Sequence, residues 1–403
     1  MALNLSTVDE AVKQHYKPLT VKNLVYKNNP FFAMVPKYEQ FGGLNMPIPL
    51  IYGNPQNVSA TFSTAQAETS TSSLGQFLLT RVSNYSIAAV TGETIRATEN
   101  KSDAFLRYLT MEIDGAIHSL ARDLSVALFR DGGGYLATVG SVSTNDITLA
   151  NTDEVANFEV GMTILFADDT GGSTNATTPT TVTAINRSTG VVTVASGTGA
   201  SAGEYIFRSG TQAGATLTST SAKAVMGLDG WLPSSAPGST AFFGQDRSKD
   251  TERLGGIRFD GSAMPIEEAL VSGAAKAARA GASPDTCLMS YESYINLEKS
   301  LGSRVRYDEL RARDADVGFR TLAIQGPNGV INVVPDQNCK PDVAYILQMD
   351  TWSLNSLGGA PHILDLDGNR ILRQSSADAY EIRVGFYGNL ACNAPGYNVR
   401  VAL

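Results

Sequence analysis

The chain has 403 residues, of which 43% are hydrophobic and 17% are charged, and its net charge is −8. This length allows two or three globular domains, and the apolar fraction excludes a disordered chain. The negative charge and the lack of any Lys/Arg run argue against a protein that grips nucleic acid by its phosphates. A charged fraction below the usual ~25%, together with 38 glycines, favours a protein that hides surface against copies of itself.

The three cysteines, Cys287, Cys339 and Cys392, are widely spaced and form no C-x-x-C pair. This spacing indicates neither a disulfide framework nor a zinc site, and it favours folding in a reducing cytoplasm. The first residues lack the apolar core of a signal peptide, and no run of about 18 apolar residues exists. We therefore expect a soluble chain that is not exported by the usual route and has no membrane partner.

Residues 1–41 are predicted to form an N-terminal arm. A short helix is possible at residues 7–15, after which Pro18, Pro30 and Pro36 are expected to break regular structure. The apolar residues that follow Pro30 need a partner to bury them, and an arm lying across a neighbouring subunit would supply one. The arm is mildly basic, which fits either an inner surface near nucleic acid or a plain solvated segment.

Residues 42–93 are predicted to form an extended loop. Residues 54–75 contain nine Ser or Thr and one charge, which is too little apolar surface to order this segment alone. Residues 76–91 are rich in β-branched and aromatic side chains and predict a strand. We expect a projecting two-stranded loop that a neighbouring subunit completes. The candidate contacts between subunits in the arm and loop are Phe31, Phe32, Phe62, Phe77, Leu79, Arg81 and Tyr85.

Residues 94–134 contain the one long helical pattern, at residues 102–129, which we call the spine helix. Ser102 is a suitable N-cap, and the glycines at 132–134 end the pattern. His118 lies four residues from both Asp114 and Arg122, which indicates a polar ladder rather than a general base. The apolar positions follow steps of three and four and share one face: Leu106, Leu109, Ile113, Ile117, Leu120, Leu124 and Leu128.

Residues 135–212 are predicted to form an inserted small all-β domain, either a sandwich or a barrel. Asp168 and Asp169 precede a Gly-rich turn, but their spacing gives an incomplete calcium ligand set, so we interpret them as an exposed acidic turn. The expected strands lie at residues 147–150, 162–167, 180–185, 191–195 and 204–208.

After a Gly/Ser/Pro-rich passage at residues 213–264, the pattern predicts a compact α+β module at residues 265–360 and C-terminal strands at residues 361–403. A hairpin is expected at residues 362–373, turning on residues 367–369. The module's helices are predicted at residues 265–280 and 291–300, and its strands at residues 286–290, 330–334 and 343–349. Further strands are predicted at residues 379–388 and 397–403.

Motifs for catalysis are absent from the sequence. It contains no G-x-x-x-x-G-K-[ST], no G-x-S-x-G and no H-E-x-x-H. Gly197, Gly199 and Gly203 only approximate a dinucleotide loop, and they lie in a Ser/Thr-rich β region rather than at a strand-to-helix turn. We therefore expect no catalytic residue, no cofactor and no metal, and we predict that the protein is not an enzyme.

The order of these parts resembles the major capsid proteins of tailed bacteriophages, which have the HK97-like fold. The shared order is an arm, a polar two-stranded loop, a long helix, an α+β module and a final long strand. Residues 242–248 (FFGQDRS), 254–258 (LGGIR) and 379–384 (AYEIRV) are also similar to segments of such proteins. The resemblance covers nearly the whole chain except residues 135–212, where some members carry inserted domains.

The resemblance implies an α+β fold in which the spine helix and long strands form a peripheral domain and residues 265–360 an axial domain. It also implies a virion protein that assembles in the host bacterial cytoplasm into hexamers and pentamers of an icosahedral shell enclosing double-stranded DNA. The implied partners are other copies of the chain, a portal protein and, in some members, a decoration protein.

Two departures from the family limit what the resemblance implies. Some members join subunits through a Lys of the extended loop, but this chain has no Lys between Lys37 and Lys101. Some begin with a long scaffolding segment, whereas here the arm leads into the shell domain within about 41 residues, so we expect a separate scaffolding protein. Two other hypotheses remain: an encapsulin-like compartment with protein cargo, and a β-rich secreted adhesin or hydrolase.

Overall fold

A computed structural model describes residues 29–91, 102–196, 199–301, 307–311, 318–365, 368–369, 371–374 and 377–403, without the side chains of 102–111, 307–311 and 318–321. The helix predicted at residues 7–15 lies outside this part of the chain. Among the described helices, none is long and apolar enough to span a lipid bilayer.

The described α-helices confirm the three that the sequence predicts and add three short ones. They are α1 (Pro30–Met34), α2 (Phe62–Ala67), α3 (Ser102–Ala127), α4 (Leu228–Trp231), α5 (Ile266–Arg279) and α6 (Tyr291–Leu301). Pro30 was expected to break regular structure, but it opens α1, because proline is compatible with the first turn of a helix.

The strands fall into three larger sheets and two hairpins. In the first half of the chain they are β1 (Lys37–Tyr38), β2 (Asn45–Gly53), β3 (Ser73–Thr80), β4 (Val82–Thr91), β5 (Tyr135–Ser143), β6 (Asp146–Leu149), β7 (Thr163–Ala167), β8 (Thr180–Asn186), β9 (Val191–Val194) and β10 (Tyr205–Arg208). In the second half they are β11 (Ala241–Phe242), β12 (Gln245–Asp246), β13 (Ile257–Asp260), β14 (Thr286–Met289), β15 (Tyr307–Arg311), β16 (Gly318–Gly326), β17 (Gly329–Pro335), β18 (Val343–Leu347), β19 (Trp352–Ser356), β20 (His362–Ile363), β21 (Leu372–Arg373), β22 (Ala379–Cys392) and β23 (Val399–Ala402).

The spine helix, α3, packs on a six-stranded sheet built around β22. In its described half, Ile113, Ile117 and Leu124 are buried, as the apolar stripe predicts. The helix ends at Ala127, two residues before the predicted end, because the N–H groups of Phe129 and Arg130 bond three rather than four residues back. The chain at Gly227 crosses so close to this end that a Cβ there would lie 2.3 Å from the carbonyl oxygen of Ala127.

The extended loop is a hairpin of β2 and β3 with the short helix α2 near its tip. The single strand predicted at residues 76–91 is wrong in one respect, since it is broken at Arg81. The part after the break, β4, belongs to the six-stranded sheet, where it pairs with β22 over ten residues. At the break, Arg81 donates to the carbonyl oxygen of Phe41 at 2.8 Å, with its guanidinium over the Phe41 ring.

The inserted segment forms a closed six-stranded barrel in the order β10-β5-β6-β9-β8-β7. Five of these strands were predicted, whereas β5 was not. β5 was missed because its side chains do not alternate regularly: the pairing with β6 shifts register at a bulge between Val139 and Ser141. Gly140 occupies that bulge, and a Cβ there would approach the carbonyl oxygen of Leu149 to 3.0 Å.

The C-terminal half is a seven-stranded mixed sheet in the order β13-β23-β18-β14-β17-β16-β15, carrying α5 and α6. The predicted strands of this module are present, but β13, β15 and β16 of the sheet were not predicted. The hairpin expected at residues 362–373 is wrong: β20 and β21 each pair with β22 and not with each other. The strand predicted at residues 379–388 extends to Cys392, because β19 pairs with its last five residues.

The apolar core has three main parts. The largest joins α1, the base of the hairpin, the spine helix and the six-stranded sheet. A second lies between the seven-stranded sheet and helices α5 and α6, and a third fills the barrel. The strands of the hairpin are therefore anchored in the main body as far as Tyr52, whereas the tip at residues 54–72 contributes no side chain to this core.

Candidate assembly surfaces

The hairpin of β2 and β3 has apolar side chains on both of its faces. On the inner face Ile48, Phe77 and Leu79 are buried in the main core. Phe77 meets the indole of Trp231 edge to face, with ring centroids 5.1 Å apart. The backbone N–H of Leu78 donates to the carbonyl oxygen of Phe243 at 2.7 Å. These contacts fix the direction in which the hairpin leaves the body.

The outer face of the hairpin is apolar and exposed. Ile51 and Leu74 pair across the two strands and are 66% and 69% exposed. With Pro49 and the turn at Gly244 they line a groove of about 760 Å³ that has no charged residue in its wall. Exposed apolar surface without charges is typical of an interaction surface.

The tip of the hairpin is more exposed still. Val58 is 94% exposed, and Phe62, on α2, is 82% exposed. The tip is held by hydrogen bonds among its own polar groups, such as the bond from the N–H of Gln56 to the hydroxyl of Ser70 at 2.7 Å. A tip that presents an exposed aromatic ring is suited to contact with another molecule.

The seven predicted contact residues divide into two sets. Phe31, Phe32, Phe77 and Leu79 are buried in the chain's own core. The expectation that they pack on a neighbouring subunit is therefore corrected: α1 folds back on the body, where Phe31 stacks on Phe129 at 5.3 Å. The second set is available at the surface, with Phe62 and Tyr85 exposed and Arg81 half-buried.

Tyr85 belongs to a second exposed surface, on the outer face of the six-stranded sheet. Its ring meets that of Tyr387 edge to face at 5.7 Å, and Ile87 beside it is 56% exposed. A hydrogen bond with Tyr85, together with partial burial, raises the pKa of Tyr387 to about 12. The phenol of Tyr387 is therefore neutral at physiological pH.

Sequence reasoning missed the exposed apolar residues Ile51, Val58, Leu74 and Ile87. A signal for Ile51 existed in β2, since the apolar residues of NMPIPLIYG occupy both alternating faces of the strand. One face of such a strand enters the core, and the other is left for a partner. Val58 and Phe62 carried no such signal, because they stand alone in a Ser/Thr-rich segment.

The N-terminal end of the described chain is fixed by a buried carboxylate. Asp336 accepts a hydrogen bond from the N–H of Phe31 at 3.2 Å, and others from the backbone and side-chain amides of Asn338. Burial raises the pKa of Asp336 to about 6, although these donors oppose the shift. The residue holds α1 in place, and its partners are all structural.

The charged groups that resemble catalytic or metal sites also have structural partners. Asp229 contacts the ammonium of Lys340 and the hydroxyl of Tyr345, and Arg400 lies 3.6 Å away. Burial acts to raise the pKa of Asp229, but Lys340 and Tyr345 hold it below its usual value. This network joins α4 to the seven-stranded sheet.

The acidic turn at residues 168–169 is occupied by its own loop. Asp169 accepts hydrogen bonds from the N–H groups of Gly171, Ser173 and Thr174. Burial acts to raise the pKa of Asp169, but these hydrogen bonds together outweigh it and lower the pKa below its ordinary value. Among the described residues, no group of three or more His, Cys, Asp or Glu side chains is placed to hold a metal ion.

His118 lies on the exposed side of the spine helix and does not form the ladder that the sequence predicts. Arg122, which was expected to continue it, instead pairs with Glu159 of the barrel at 2.7 Å. The polar side of the helix therefore faces the inserted barrel, and His118 lines a groove between the two.

Comparison with known proteins agrees with a structural role for these exposed apolar surfaces. Residues 200–371 match the family model of the SU10 major capsid protein. The capsid of cyanophage A-1(L) is similar in structure, with a TM-score of 0.52, 10% identity, and coverage of 93% of this chain and 92% of that chain. No curated protein sequence matches the chain.

Two further solved structures have lower TM-scores, on which we base no argument. A structure from Mycobacterium phage Ogopogo has a TM-score of 0.43 at 8% identity, covering 93% of this chain and 92% of that chain. The SrpI encapsulin complex from Synechococcus elongatus PCC 7942 has a TM-score of 0.42 at 8% identity, covering 92% of this chain and 86% of that chain.

The family match and the shared fold confirm two predictions from the sequence. The chain has the α+β architecture of HK97-like capsid proteins, and its resemblance to tailed-phage major capsid proteins is confirmed. It is a capsid shell protein, and the family that it matches is structural rather than catalytic.

Proposed function

We propose that this chain is the major capsid protein of a tailed bacteriophage and forms the hexamers and pentamers of an icosahedral shell around double-stranded DNA. The observation that carries the proposal is the match of residues 200–371 to a major capsid protein family, on a chain with the same overall fold. The exposed apolar face of the hairpin supports it, because such a surface needs a partner.

In this proposal the hairpin lies on the next subunit of the shell. Its outer face, with Ile51 and Leu74, and its tip, with Val58 and Phe62, supply the apolar contact. The contact is heterologous, since one surface of each copy meets a different surface of the next. Such contacts close into rings when the rotation between copies allows it, and hexamers and pentamers are rings of this kind.

The other parts of the chain are likewise assigned to regions of the shell. The spine helix and the six-stranded sheet form the peripheral domain, and the seven-stranded sheet forms the axial domain at the capsomer centre. The barrel lies on the outer surface of the shell, because packed DNA leaves little room inside. No Lys of the hairpin is available for a covalent bond between subunits, so the shell is held by non-covalent interfaces.

Assembly on this account needs further proteins. We expect a separate scaffolding protein during assembly and a portal protein at one vertex, and a decoration protein is a further candidate partner. Assembly takes place in the cytoplasm of the host bacterium, and the finished shell belongs to the virion. The DNA is enclosed rather than bound by sequence, consistent with the net charge of −8.

The test is to express the full chain alone and with its scaffolding protein and to examine the products by electron microscopy. Shells or capsomers are the expected result. A protein that stays monomeric in every condition contradicts the proposal. The content of native particles separates the two shell hypotheses: nuclease-protected DNA is expected, whereas protein cargo would instead indicate an encapsulin-like compartment.

A further inference from the structure

The barrel is attached to the body at one end only. The chain enters it through Gly132 and Gly134, which have φ values of +89° and +85°, and leaves it after Arg208. Of the spine-helix residues with described side chains, Val126 is the one that belongs to the barrel's apolar core. The apolar contact between the spine helix and the barrel is therefore narrow.

Three ion pairs also join the region of the spine helix to the barrel. Two of them are partly exposed: Arg122 with Glu159 at 2.7 Å, and Asp123 with Arg208 at 2.9 Å. We call these two pairs the latches.

The third pair joins Arg130 to Glu154 at 2.6 Å. It is nearly buried, with side chains 3% and 12% exposed. It lies just beyond the end of the spine helix, close in sequence to Val126 and to the glycine connection. We call Val126 and this buried pair the pivot.

Two open grooves separate the barrel from the spine helix, and both are lined by Arg208 and Ser209. One, of about 710 Å³, has His118 in its wall, and the other, of about 500 Å³, has Leu120. The contact at the latches is therefore a thin bridge between two spaces rather than a packed interface.

The latches are also incompletely satisfied. The Nε atoms of Arg122 and Arg208 and one carboxylate oxygen of Asp123 are buried without a hydrogen-bond partner. Buried polar groups without partners cost free energy, and partly exposed ion pairs contribute only about 0–1 kcal/mol each. Salt weakens such pairs further, whereas it affects a buried pair much less.

We propose that the barrel is a hinged unit that swings on the pivot when ionic strength releases the latches. The movement opens the grooves on either side of Arg208 and changes the direction in which the barrel projects. The proposal concerns the single chain and does not depend on the proposed function.

The test measures the distance between spin labels at Ala184→Cys on the barrel and Lys249→Cys on the body by double electron–electron resonance on the full chain. Both positions are exposed, whereas the native cysteines are buried, so labelling is selective. Raising NaCl from about 0.1 M to about 1 M shortens the Debye length from about 10 Å to about 3 Å. We expect the mean distance to shift and the distribution to broaden.

Variants separate the latches from a general effect of salt. Asp123→Asn with Glu159→Gln should give the broad distribution already at low salt. The matched control Asp153→Asn, which neutralises an exposed barrel carboxylate away from the latches, should leave it narrow.

Unchanged distributions, both in high salt and in the Asp123→Asn and Glu159→Gln double variant, would overturn the proposal. Circular dichroism of each variant distinguishes swinging from unfolding. A broad distribution that accompanies loss of the barrel's β signal also counts against a hinge, because it shows that the pairs hold the barrel fold itself.

Discussion

The backbone N–H of Phe31 donates a hydrogen bond to the carboxylate of Asp336 at 3.2 Å, which joins two parts of the chain 305 residues apart. The bond positions α1, so that Phe31 and Phe32 enter the main core. This is why side chains that looked like contacts between subunits in the sequence are internal. Their partners come from a loop that no local pattern connects to the arm.

Asp336 predicts a pH dependence of stability with a defined sign. Its pKa is about 6 in the folded chain against an ordinary value of 3.8, so the folded state takes up this proton first as the pH falls. The contribution to the free energy of unfolding should therefore rise by about 1 kcal/mol between pH 7 and pH 5. Wild type minus Asp336→Asn, measured by denaturant unfolding, isolates it from the other carboxylates. A difference that is flat or falls over this range contradicts the assignment.

The spine helix predicts opposite results for substitutions on its two sides. Ile113 and Ile117 are 0% and 1% exposed in the main core, so Ile113→Asp or Ile117→Asp should abolish soluble folding by burying an unpaired charge. His118→Ala should leave folding and assembly nearly intact, because His118 is exposed beside a groove. Soluble yield and electron microscopy measure both outcomes. Loss of assembly in a well-folded His118→Ala protein would show that this side contacts another subunit.

Substitutions of the two phenylalanines of the extended loop should have different effects, one on stability and one on assembly. Phe77 is fully buried against Trp231, so Phe77→Ala should lower the free energy of unfolding by about 3–5 kcal/mol. Phe62 is 82% exposed, so Phe62→Ser should leave the unfolding curve unchanged and lower the yield of assembled shells.

Ser63→Ala is the matched control for Phe62→Ser, since Ser63 is an exposed neighbour on the same helix. Chemical denaturation and sucrose-gradient sedimentation read out stability and assembly separately. Shell yields that are equal for Phe62→Ser and Ser63→Ala would remove the tip from the proposed contact.

The buried pair of Arg130 and Glu154 should be sensitive to the loss of either partner. Arg130→Gln leaves the carboxylate of Glu154 buried without its charge partner, which should cost about 3–5 kcal/mol. Replacement of both by apolar residues, Arg130→Met with Glu154→Leu, should recover most of that loss. Thermal unfolding of the three proteins tests this, and a double variant as unstable as the single one would show that the ion pair itself is required.

The sequence predicts well those elements whose pattern is local. The spine helix, α5, α6 and five of the six barrel strands follow from periodicity, caps and turns. It predicts poorly those strands whose bounds depend on pairing with distant parts of the chain. The sequence of residues 76–91 is uniformly strand-like, and its division at Arg81 follows from the pairing of one part with β2 and of the other with β22. β20 and β21 are two-residue strands that exist because β22 offers them an edge.

The candidate surfaces were predicted in part for the same reason. Phe62 and Tyr85 are exposed as expected, whereas Phe31, Phe32, Phe77 and Leu79 are not. Hydrophobicity alone does not distinguish a side chain that is buried within its own chain from one that is exposed there and available to another subunit. The two-faced pattern of β2, with Ile48 inward and Ile51 outward, carries that information once the pairing is known.

The most direct test of the central claim is a cryo-electron microscopy reconstruction of the particles that the full chain forms with its scaffolding protein. The account predicts a closed shell of hexamers and pentamers in which the hairpin of each copy, with Val58 and Phe62 at its tip, lies on the next copy. Particles without such rings, or a shell in which the hairpin tip contacts no neighbour, would contradict it.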